Sequence, residues 1–194
     1  GIPEAGETQV IGKVSPDFRL GFNTNIELYK FRLAAVFDWK QGGQMYSGTA
    51  GETNFYGTSK LSGEVRKSDK YHFDYAAVEQ GVDADGKPIY VPYTGGVKGS
   101  DAEEYFKSVR GIDEAYVYDN SFLKLRELSL SYPVNKKDNL NVNVNVFARN
   151  IIVWSEIKGF DPEATQGNNN MAGAFERFSL PGTSSYGFGV NVNF

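Results

Sequence analysis

The sequence predicts an all-β chain of long antiparallel strands, and three observations support this fold class. Five segments alternate apolar and polar residues with a period of two, which is the period of a strand and not of a helix. Aromatic residues make up 14% of the 194 residues, and 22 of the residues are glycine. Runs of helix-favouring residues are scarce, so the composition as a whole is typical of β structure.

The five alternating segments give each predicted strand one apolar face and one face of polar residues or glycine. They cover residues 18–28, 31–40, 121–132, 140–149 and 186–194. The first is typical, because Phe18, Leu20 and Phe22 lie on one face with Arg19 and Gly21 between them. A helix would not bring the apolar residues of such a segment to a single side.

The segment 121–132 is irregular, because its leucines change face between Leu125 and Leu128. A β-bulge near Arg126 or Glu127 would explain the change, since one extra residue shifts the alternation. A strand that is buried on both faces would explain it equally well. The sequence leaves both explanations open.

The lengths of strands and connections favour a transmembrane barrel. The predicted strands have roughly 10 to 12 residues, whereas strands of globular proteins average about 5 to 6 and tilted membrane strands need about 9 to 11. The connections alternate between short ones, at 29–30 and 133–139, and long ones, at 41–120 and 151–183. Short periplasmic turns and long extracellular loops are typical of outer-membrane barrels. Long strands also occur in soluble β-sandwiches, which remain the alternative.

In a barrel, the apolar faces would contact lipid and the polar faces would line the lumen. Aromatic residues near the strand ends are then candidates for the girdle at the two membrane interfaces. These are Phe18, Tyr29, Phe31, Trp39, Tyr132, Tyr186 and Phe194. The candidates for the lumen wall are Asn141, Asn143, Asn145, Asn191 and Asn193. In a β-sandwich, these asparagines would face solvent, and the aromatic residues would simply be good strand formers.

Composition and charge exclude several classes of function. The formal net charge of -4 gives no attraction for nucleic acid. The chain has no cysteine and a single histidine, His72, which rules out disulfides, thiolate metal sites and two-histidine sites. Carboxylate pairs such as Glu103–Glu104 lack the apolar setting that acid catalysis needs. We therefore expect no enzyme activity, no metal and no cofactor.

The polar region 49–113, rich in glycine and tyrosine, separates the second and third predicted strands, and we expect it to be an extracellular loop region. Within it, the motif DADG at 83–86 predicts a hairpin turn. The motif SDAE at 100–103 predicts a capped helix that ends near Arg110. Candidates for contact with a ligand or partner are Tyr71, Tyr90 and Tyr93. The alternative is that these tyrosines pack the region against itself.

Several blocks of the sequence resemble the SusC/RagA family of TonB-dependent outer-membrane transporters. Residues 118–132, YDNSFLKLRELSLSY, resemble the family's "dgSFLRLRNLTLGY" strand, and residues 149–163 resemble its "NLFTWTKYKGYDPE" segment. Blocks at 11–18 and 37–46 resemble its "iG...nPdf" and "fdw..GG.iy" patterns, and residues 186–194 resemble its closing strand. The blocks follow one another in the order of the family and at similar spacing.

This resemblance implies that residues 1–194 are the C-terminal antiparallel strands of a transmembrane β-barrel of about 22 strands with long extracellular loops. Because the chain begins at Gly1 and carries no plug domain, we expect a fragment or a processed product. The implied function is import of glycan or peptide fragments across the outer membrane of a Gram-negative bacterium. The implied partners are a SusD-like surface lipoprotein, the TonB complex through the missing N-terminal part, and membrane lipid. The alternative is a soluble β-sandwich module that binds carbohydrate through its loop tyrosines.

Overall fold

A computed structural model describes residues 2–73, 77–137, 140–157, 159–166 and 173–194. The chain divides into two compact units. The helical unit comprises Gly1–Ile11 and Ser47–Tyr116, and the sheet unit comprises Gly12–Tyr46 and Val117–Phe194. The five predicted strands lie in the sheet unit, and the predicted loop region 49–113 lies in the helical unit.

The secondary structure begins with the long strands β1 (Phe18–Leu28) and β2 (Phe31–Gln41) and the short strand β3 (Gln44–Ser47). There follow the helices α1 (Gly48–Phe55) and α2 (Lys60–Lys67), the strands β4 (Ala77–Val82) and β5 (Pro88–Pro92), and the helix α3 (Ala102–Val109). The last elements are β6 (Val117–Asp119), β7 (Phe122–Lys137), β8 (Leu140–Ser155), β9 (Phe175–Glu176) and β10 (Ser185–Asn193).

Five antiparallel strands form the main sheet in the order β1-β2-β7-β8-β10. They correspond to the five strands that the sequence predicts, so this prediction is confirmed. The register brings apolar residues of neighbouring strands together, since Phe22 pairs with Phe37 and Phe37 pairs with Leu125. The short strands β3, β6 and β9 form a second sheet in the order β6-β3-β9, and β4 and β5 form a two-stranded sheet.

A β-bulge interrupts β7 at Arg126. The ladder with β2 passes from Leu125 to Glu127 and leaves Arg126 without a partner residue. The ladder with β8 shifts register at the same place, where Asn150 has a left-handed backbone with a φ of 51°. The bulge explains why the leucines change parity, because the extra residue returns Leu128 to the face that Leu125 occupies.

Burial on both faces, the other explanation for this strand, also holds at its beginning. Phe122, Lys124 and Leu125 are all buried, although Lys124 and Leu125 point to opposite sides of the sheet. The two explanations are therefore compatible, and each applies to a different part of the strand.

The predicted connection at 133–139 is wrong over most of its length, because β7 continues through Pro133 to Lys137. The strand β8 begins at Leu140, and residues 138–139 lie outside the described residues. A register shift between Pro133 and Asn135 accommodates the proline, since a residue that cannot donate a backbone hydrogen bond is tolerated at such an irregularity.

The predicted connection that begins at residue 151 is also wrong for residues 151–155, because β8 extends to Ser155. These residues pair with the start of β7, where Leu123 lies opposite Trp154. The positive φ of Asn150 breaks the regular alternation at this point, which explains why the pattern in the sequence ends at Arg149.

The helical unit contains the predicted helix α3 and two helices, α1 and α2, that the sequence analysis missed. Their sequences are short and polar, but each starts at a serine cap: Ser47 accepts a hydrogen bond from the N–H of Ala50, and Ser59 from that of Ser62. Caps and tertiary packing stabilise such short helices, and a pattern of apolar residues does not reveal them.

The predicted capping box at the start of α3 is not formed. A 3₁₀ turn at Gly99–Asp101 precedes the helix, and the Asp101 side chain makes no capping hydrogen bond. Instead, the hydroxyl of Ser100 donates to the Asp101 carboxylate over 2.7 Å. The helix is held by its apolar side, since Tyr105 and Phe106 are buried and Tyr105 stacks on the ring of Phe73.

The predicted hairpin turn at 83–86 is confirmed, because β4 and β5 pair in antiparallel fashion on either side of it. The Asp83 carboxylate accepts hydrogen bonds from the backbone N–H groups of Asp85 and Lys87 at 2.9 and 2.8 Å.

Within the described parts of the chain, no helix is both long and apolar enough to cross a membrane.

Candidate membrane face and lumen wall

One face of the main sheet is apolar, and its side chains form rows across the strands because ladder partners point to the same side. Two such rows are Leu20, Trp39, Leu123 and Trp154, and Ile26, Leu33, Leu130, Val146 and Phe188. Most of these side chains are exposed, with 46% of Leu20, 49% of Val146 and 79% of Phe188 accessible. An exposed apolar surface of this extent indicates contact with lipid or with another protein.

Aromatic pairs lie at both ends of this apolar face. At one end, the ring of Phe18 packs edge-to-face on Trp39 with centroids 5.0 Å apart. At the other end, Phe31 and Tyr132 lie 4.8 Å apart in a tilted arrangement. Such pairs contribute about 0.5–1.5 kcal/mol each beyond the burial of their area. Four of the predicted girdle residues are therefore arranged as two cross-strand pairs.

The other predicted girdle residues lie at strand ends and are exposed. Tyr29 lies in the tight turn between β1 and β2 with a φ of 55°, Tyr186 begins the apolar face of β10, and Phe194 follows that strand. Trp154 joins the same face beside Leu123, and the sequence analysis missed it. The alternation of Ile152 and Trp154 was the signal that could have revealed it.

The opposite face of the sheet carries asparagines and charged residues. Its ladder pairs include Asn145–Gly189, Asn143–Asn191 and Asn141–Asn193. The five asparagines predicted for a lumen wall therefore lie together on one side of the sheet, those of β8 half-buried and those of β10 exposed.

Phe147 is an apolar residue on the polar face. Its ring lies across β10 at Gly187, where an added Cβ atom would be only 2.5 Å from the ring. The guanidinium of Arg149 lies 5.2 Å from the ring centroid, within the range of a cation–π interaction. A larger residue at position 187 would therefore force the Phe147 ring to move, because this side chain approaches the backbone closely.

Six charged side chains form an ion-pair cluster on the polar face, near the end of β8. The members of this cluster are Arg19, Asp38, Lys124, Arg126, Asp161 and Glu163. The Arg126 Nη2 atom lies 2.5 Å from Asp38 Oδ2 and 2.6 Å from Glu163 Oε1. The Lys124 Nζ atom lies 2.7 Å from both Asp161 Oδ1 and Glu163 Oε2. Arginine, lysine and carboxylate groups at these distances form charge-assisted hydrogen bonds.

Arg19 completes the cluster from β1. Its guanidinium donates to both oxygens of Asp38, at 3.1 and 2.7 Å, and lies 3.2 Å from Glu163 Oε1. The three basic and three acidic members balance one another in charge. The cluster therefore joins three strands of the sheet to the connection between β8 and β10 without adding net charge to the polar face.

Asp161 also links the two ends of the connection between β8 and β10 by hydrogen bonds. Its Oδ2 atom accepts a hydrogen bond from the N–H of Gly182 at 2.9 Å, and its Oδ1 atom accepts one from the N–H of Glu163 at 3.0 Å. Near the end of the connection, the side-chain amide of Asn150 donates a hydrogen bond to the carbonyl of Thr183 at 3.3 Å. The backbone carbonyl of Asn150 accepts one from the hydroxyl of Ser184 at 2.6 Å. The two ends of this connection are thus held together on the polar face.

The carboxyl groups of Asp161 and Glu163 favour the ionised form. Burial alone would raise the pKa of Glu163, but hydrogen bonds from Arg126 and Lys124 outweigh it, and the pKa is lowered. Burial likewise acts to raise the pKa of Asp161, but hydrogen bonds from Lys124 and from the backbone N–H groups of Glu163 and Gly182 lower it. A cleft of about 290 Å³ lies beside these groups, with Leu180 at its edge.

The three candidate tyrosines of the helical unit have different surroundings. Tyr71 pairs through its backbone with Val97 and lies 4.9 Å from the ring of Phe73. The ring of Tyr93 folds over Gly95, whereas Tyr90 is 64% exposed on β5. Tyr71 and Tyr93 are half-buried against their own unit, which leaves Tyr90 as the most accessible candidate. Among the described residues, no group of three or more His, Cys, Asp or Glu side chains is placed to hold a metal ion.

The sequence comparisons point to one kind of protein. No family model matches the chain. The TonB-dependent receptor P3 of Formosa agariphila is 23% identical over 198 residues, which cover 97% of this chain and 17% of the receptor. The TonB-dependent receptor P26 of the same organism is 26% identical over 205 residues, covering 100% of this chain and 18% of the receptor. The chain is related to TonB-dependent receptors. It spans less than a fifth of the length of these relatives.

The fold of this chain is similar to part of a solved importer. A structure of the RagAB peptide importer in the "closed-closed" state matches 96% of the chain with a TM-score of 0.59 and 20% identity, and the chain covers 18% of that protein. The "open-open" state matches 93% of the chain with a TM-score of 0.56 and 21% identity, and the chain covers 17% of that protein. The predictions of a SusC/RagA-like segment and of an antiparallel barrel-type fold are confirmed.

Proposed function

We propose that this chain forms part of the barrel wall of a TonB-dependent importer in the outer membrane of a Gram-negative bacterium. The observation that carries the proposal is the main sheet, which has an exposed apolar face with aromatic pairs at both ends and a polar face on the other side. In a soluble sandwich, a second sheet would cover the apolar face about 10 Å away. A lipid-facing barrel strand needs this face exposed.

The barrel assignment orients the chain in the membrane. The turn at 29–30 and the connection between β7 and β8 would lie on the periplasmic side, and residues 49–113 would form an extracellular loop region. The girdle residues named above would lie at the headgroup layer, and Trp154 would be an additional member of the girdle. The asparagines of β8 and β10 would face the hydrated lumen, where their amides can bind water or polar substrate.

The whole protein would import glycan or peptide fragments with energy supplied through TonB, and a SusD-like lipoprotein would cover its extracellular side. The sequence relationship to TonB-dependent receptors and the structural similarity to the RagAB peptide importer support this proposal. Transport of this kind makes and breaks no covalent bond in the substrate, so the proposal gives the chain no catalytic residue. Among the tyrosines, Tyr90 is the best candidate for contact with the lipoprotein or the substrate because it is exposed.

A spin-label experiment on the full-length protein tests the barrel assignment. Val146 and Asn145 are neighbours in β8 that point to opposite faces, so Val146→Cys and Asn145→Cys form a matched pair. In lipid vesicles, a label at position 146 should relax strongly with oxygen and weakly with a water-soluble nickel chelate, and a label at position 145 should do the reverse. A label at position 146 that is shielded from both reagents would indicate a covered sandwich face and would overturn the proposal.

A further inference from the structure

We infer that residues 159–166 are docked on the lumen wall of the barrel and that Lys124 and Arg126 are the positioning residues that hold them there. The inference rests on the proposed function, which takes the polar face of the sheet as the lumen side. The docked segment would then narrow the lumen at the ends of β7 and β8 that meet the long connections. A substrate that passes this level would meet residues 159–166 and not the bare strands.

The bulge in β7 prepares the binding surface for this segment. Lys124 and Arg126 have the parity of the polar face, and the bulge turns Glu127 to that face as well. Without the extra residue, Glu127 would point to the apolar side. The bulge therefore concentrates charged side chains at one level of the wall. There, Glu127 forms an ion pair with Arg149 at 3.0 Å, and Arg126 forms one with Glu163.

The ion pairs of the docked segment differ from ordinary surface pairs in their burial. Only 6% of the Lys124 side chain and 14% of the Asp161 side chain are exposed. When one member of such a shielded pair is removed, the other keeps a charge that is poorly solvated, so a substitution of Lys124 or Arg126 should destabilise the docked arrangement. The exposed pair of Arg32 and Glu27, on the same face, has 65% of each side chain accessible and resembles the surface pairs that contribute little.

Buried apolar side chains indicate that this level of the polar face is covered. Phe122 lies on the polar face and is buried, with Lys124 Nζ 5.3 Å from its ring centroid. Ile157 and Pro162, before and within the docked segment, are buried as well. By contrast, Asn193 on the same face is exposed. The wall is therefore open at the level of the asparagines and covered at the level of the cluster.

The position of the docked segment can be followed with a nitroxide label at Ala164→Cys, a half-buried site beside the cleft. Any cysteine elsewhere in the full-length protein would be replaced beforehand. We expect an immobilised spectrum in the parent protein. The double variant Lys124→Gln/Arg126→Gln should raise the ratio of mobile to immobile label at least about tenfold. The conservative variant Lys124→Arg/Arg126→Lys keeps both charges and should restore the immobilised spectrum.

Two controls make the result decisive. Arg32→Gln removes a cation from the same face and should leave the spectrum unchanged. The label at position 146 should keep its exposure to lipid in every variant, which shows that the barrel has folded. A mobile label in the parent protein, or an unchanged spectrum in the double variant, would overturn the inference. If position 146 is shielded from lipid already in the parent protein, the proposed function itself fails, so the two failures are distinguishable.

Discussion

Lys124 and Asp161 form a shielded ion pair with an Nζ–Oδ1 distance of 2.7 Å, although they lie in a strand and in a loop. The same ammonium group lies 2.7 Å from Glu163 Oε2. The lysine belongs to the "SFLKLRELSLSY" strand and the two carboxylates to the "GFDPE" segment. Two blocks that are far apart in the sequence thus meet in one cluster.

Removal of this lysine should destabilise the folded protein. Lys124→Met leaves two carboxylates without their shared cation, and we expect a loss of about 2 kcal/mol or more in the free energy of unfolding. The loss should fall below the largest values for buried pairs because 28% of the Glu163 side chain is exposed. Denaturant unfolding of the protein in detergent micelles measures it. Lys60→Met, at an exposed pair with Glu64, should change stability by no more than about 0.5 kcal/mol.

The lowered pKa values of Asp161 and Glu163 predict a loss of stability in acid. In the unfolded chain these groups have pKa values of about 4, and in the folded protein their pKa values are lower. Their contribution is therefore complete above the unfolded pKa and is lost as the pH falls through the folded values. The double variant Asp161→Asn/Glu163→Gln should show a flatter dependence of unfolding free energy on pH below about 5. An equally steep dependence in that variant would assign the acid sensitivity to other groups.

Gly187 should not tolerate a side chain. An added Cβ atom would lie 2.5 Å from the ring of Phe147, so Gly187→Ala should cost about 1–3 kcal/mol, as overpacking does elsewhere. Truncation of the ring in Gly187→Ala/Phe147→Ala should remove this steric cost, which a double-mutant cycle measures as a coupling energy. Gly21→Ala in β1 is the matched control, because its added atom would lie 4.0 Å from the nearest backbone atom.

Deletion of Arg126 should disrupt assembly much more than its substitution. The deletion removes the bulge and turns the apolar set of one half of β7 to the opposite face. We expect little folded protein in the outer membrane, as judged by heat-modifiable mobility on gels. Arg126→Gln keeps the extra residue and should still assemble. Equal assembly of the two variants would show that the register of β7 does not depend on the bulge.

The hydrophobic pattern was sufficient to predict the five long strands, their two faces and the irregular strand. A period of two survives in the sequence wherever one side of a strand is apolar, so segments such as Phe18–Leu28 are visible without any structure. The pattern failed at Asn150, where a left-handed residue interrupts the alternation and hid Ile152 and Trp154. It also failed at α1, where a serine cap supplies what the sequence pattern lacks.

The sequence by itself determined the strand architecture, the absence of cysteine chemistry and the resemblance to SusC-like transporters, because these depend on local periodicity, composition and ordered motifs. Only the tertiary structure decided that Asp161 and Glu163 bind Lys124 and Arg126, since ion pairing between distant segments depends on register and on the path of a loop. In the folded chain these carboxylates are held against the polar face, because hydrogen bonds and ion pairs with three nearby cations outweigh the cost of burying them.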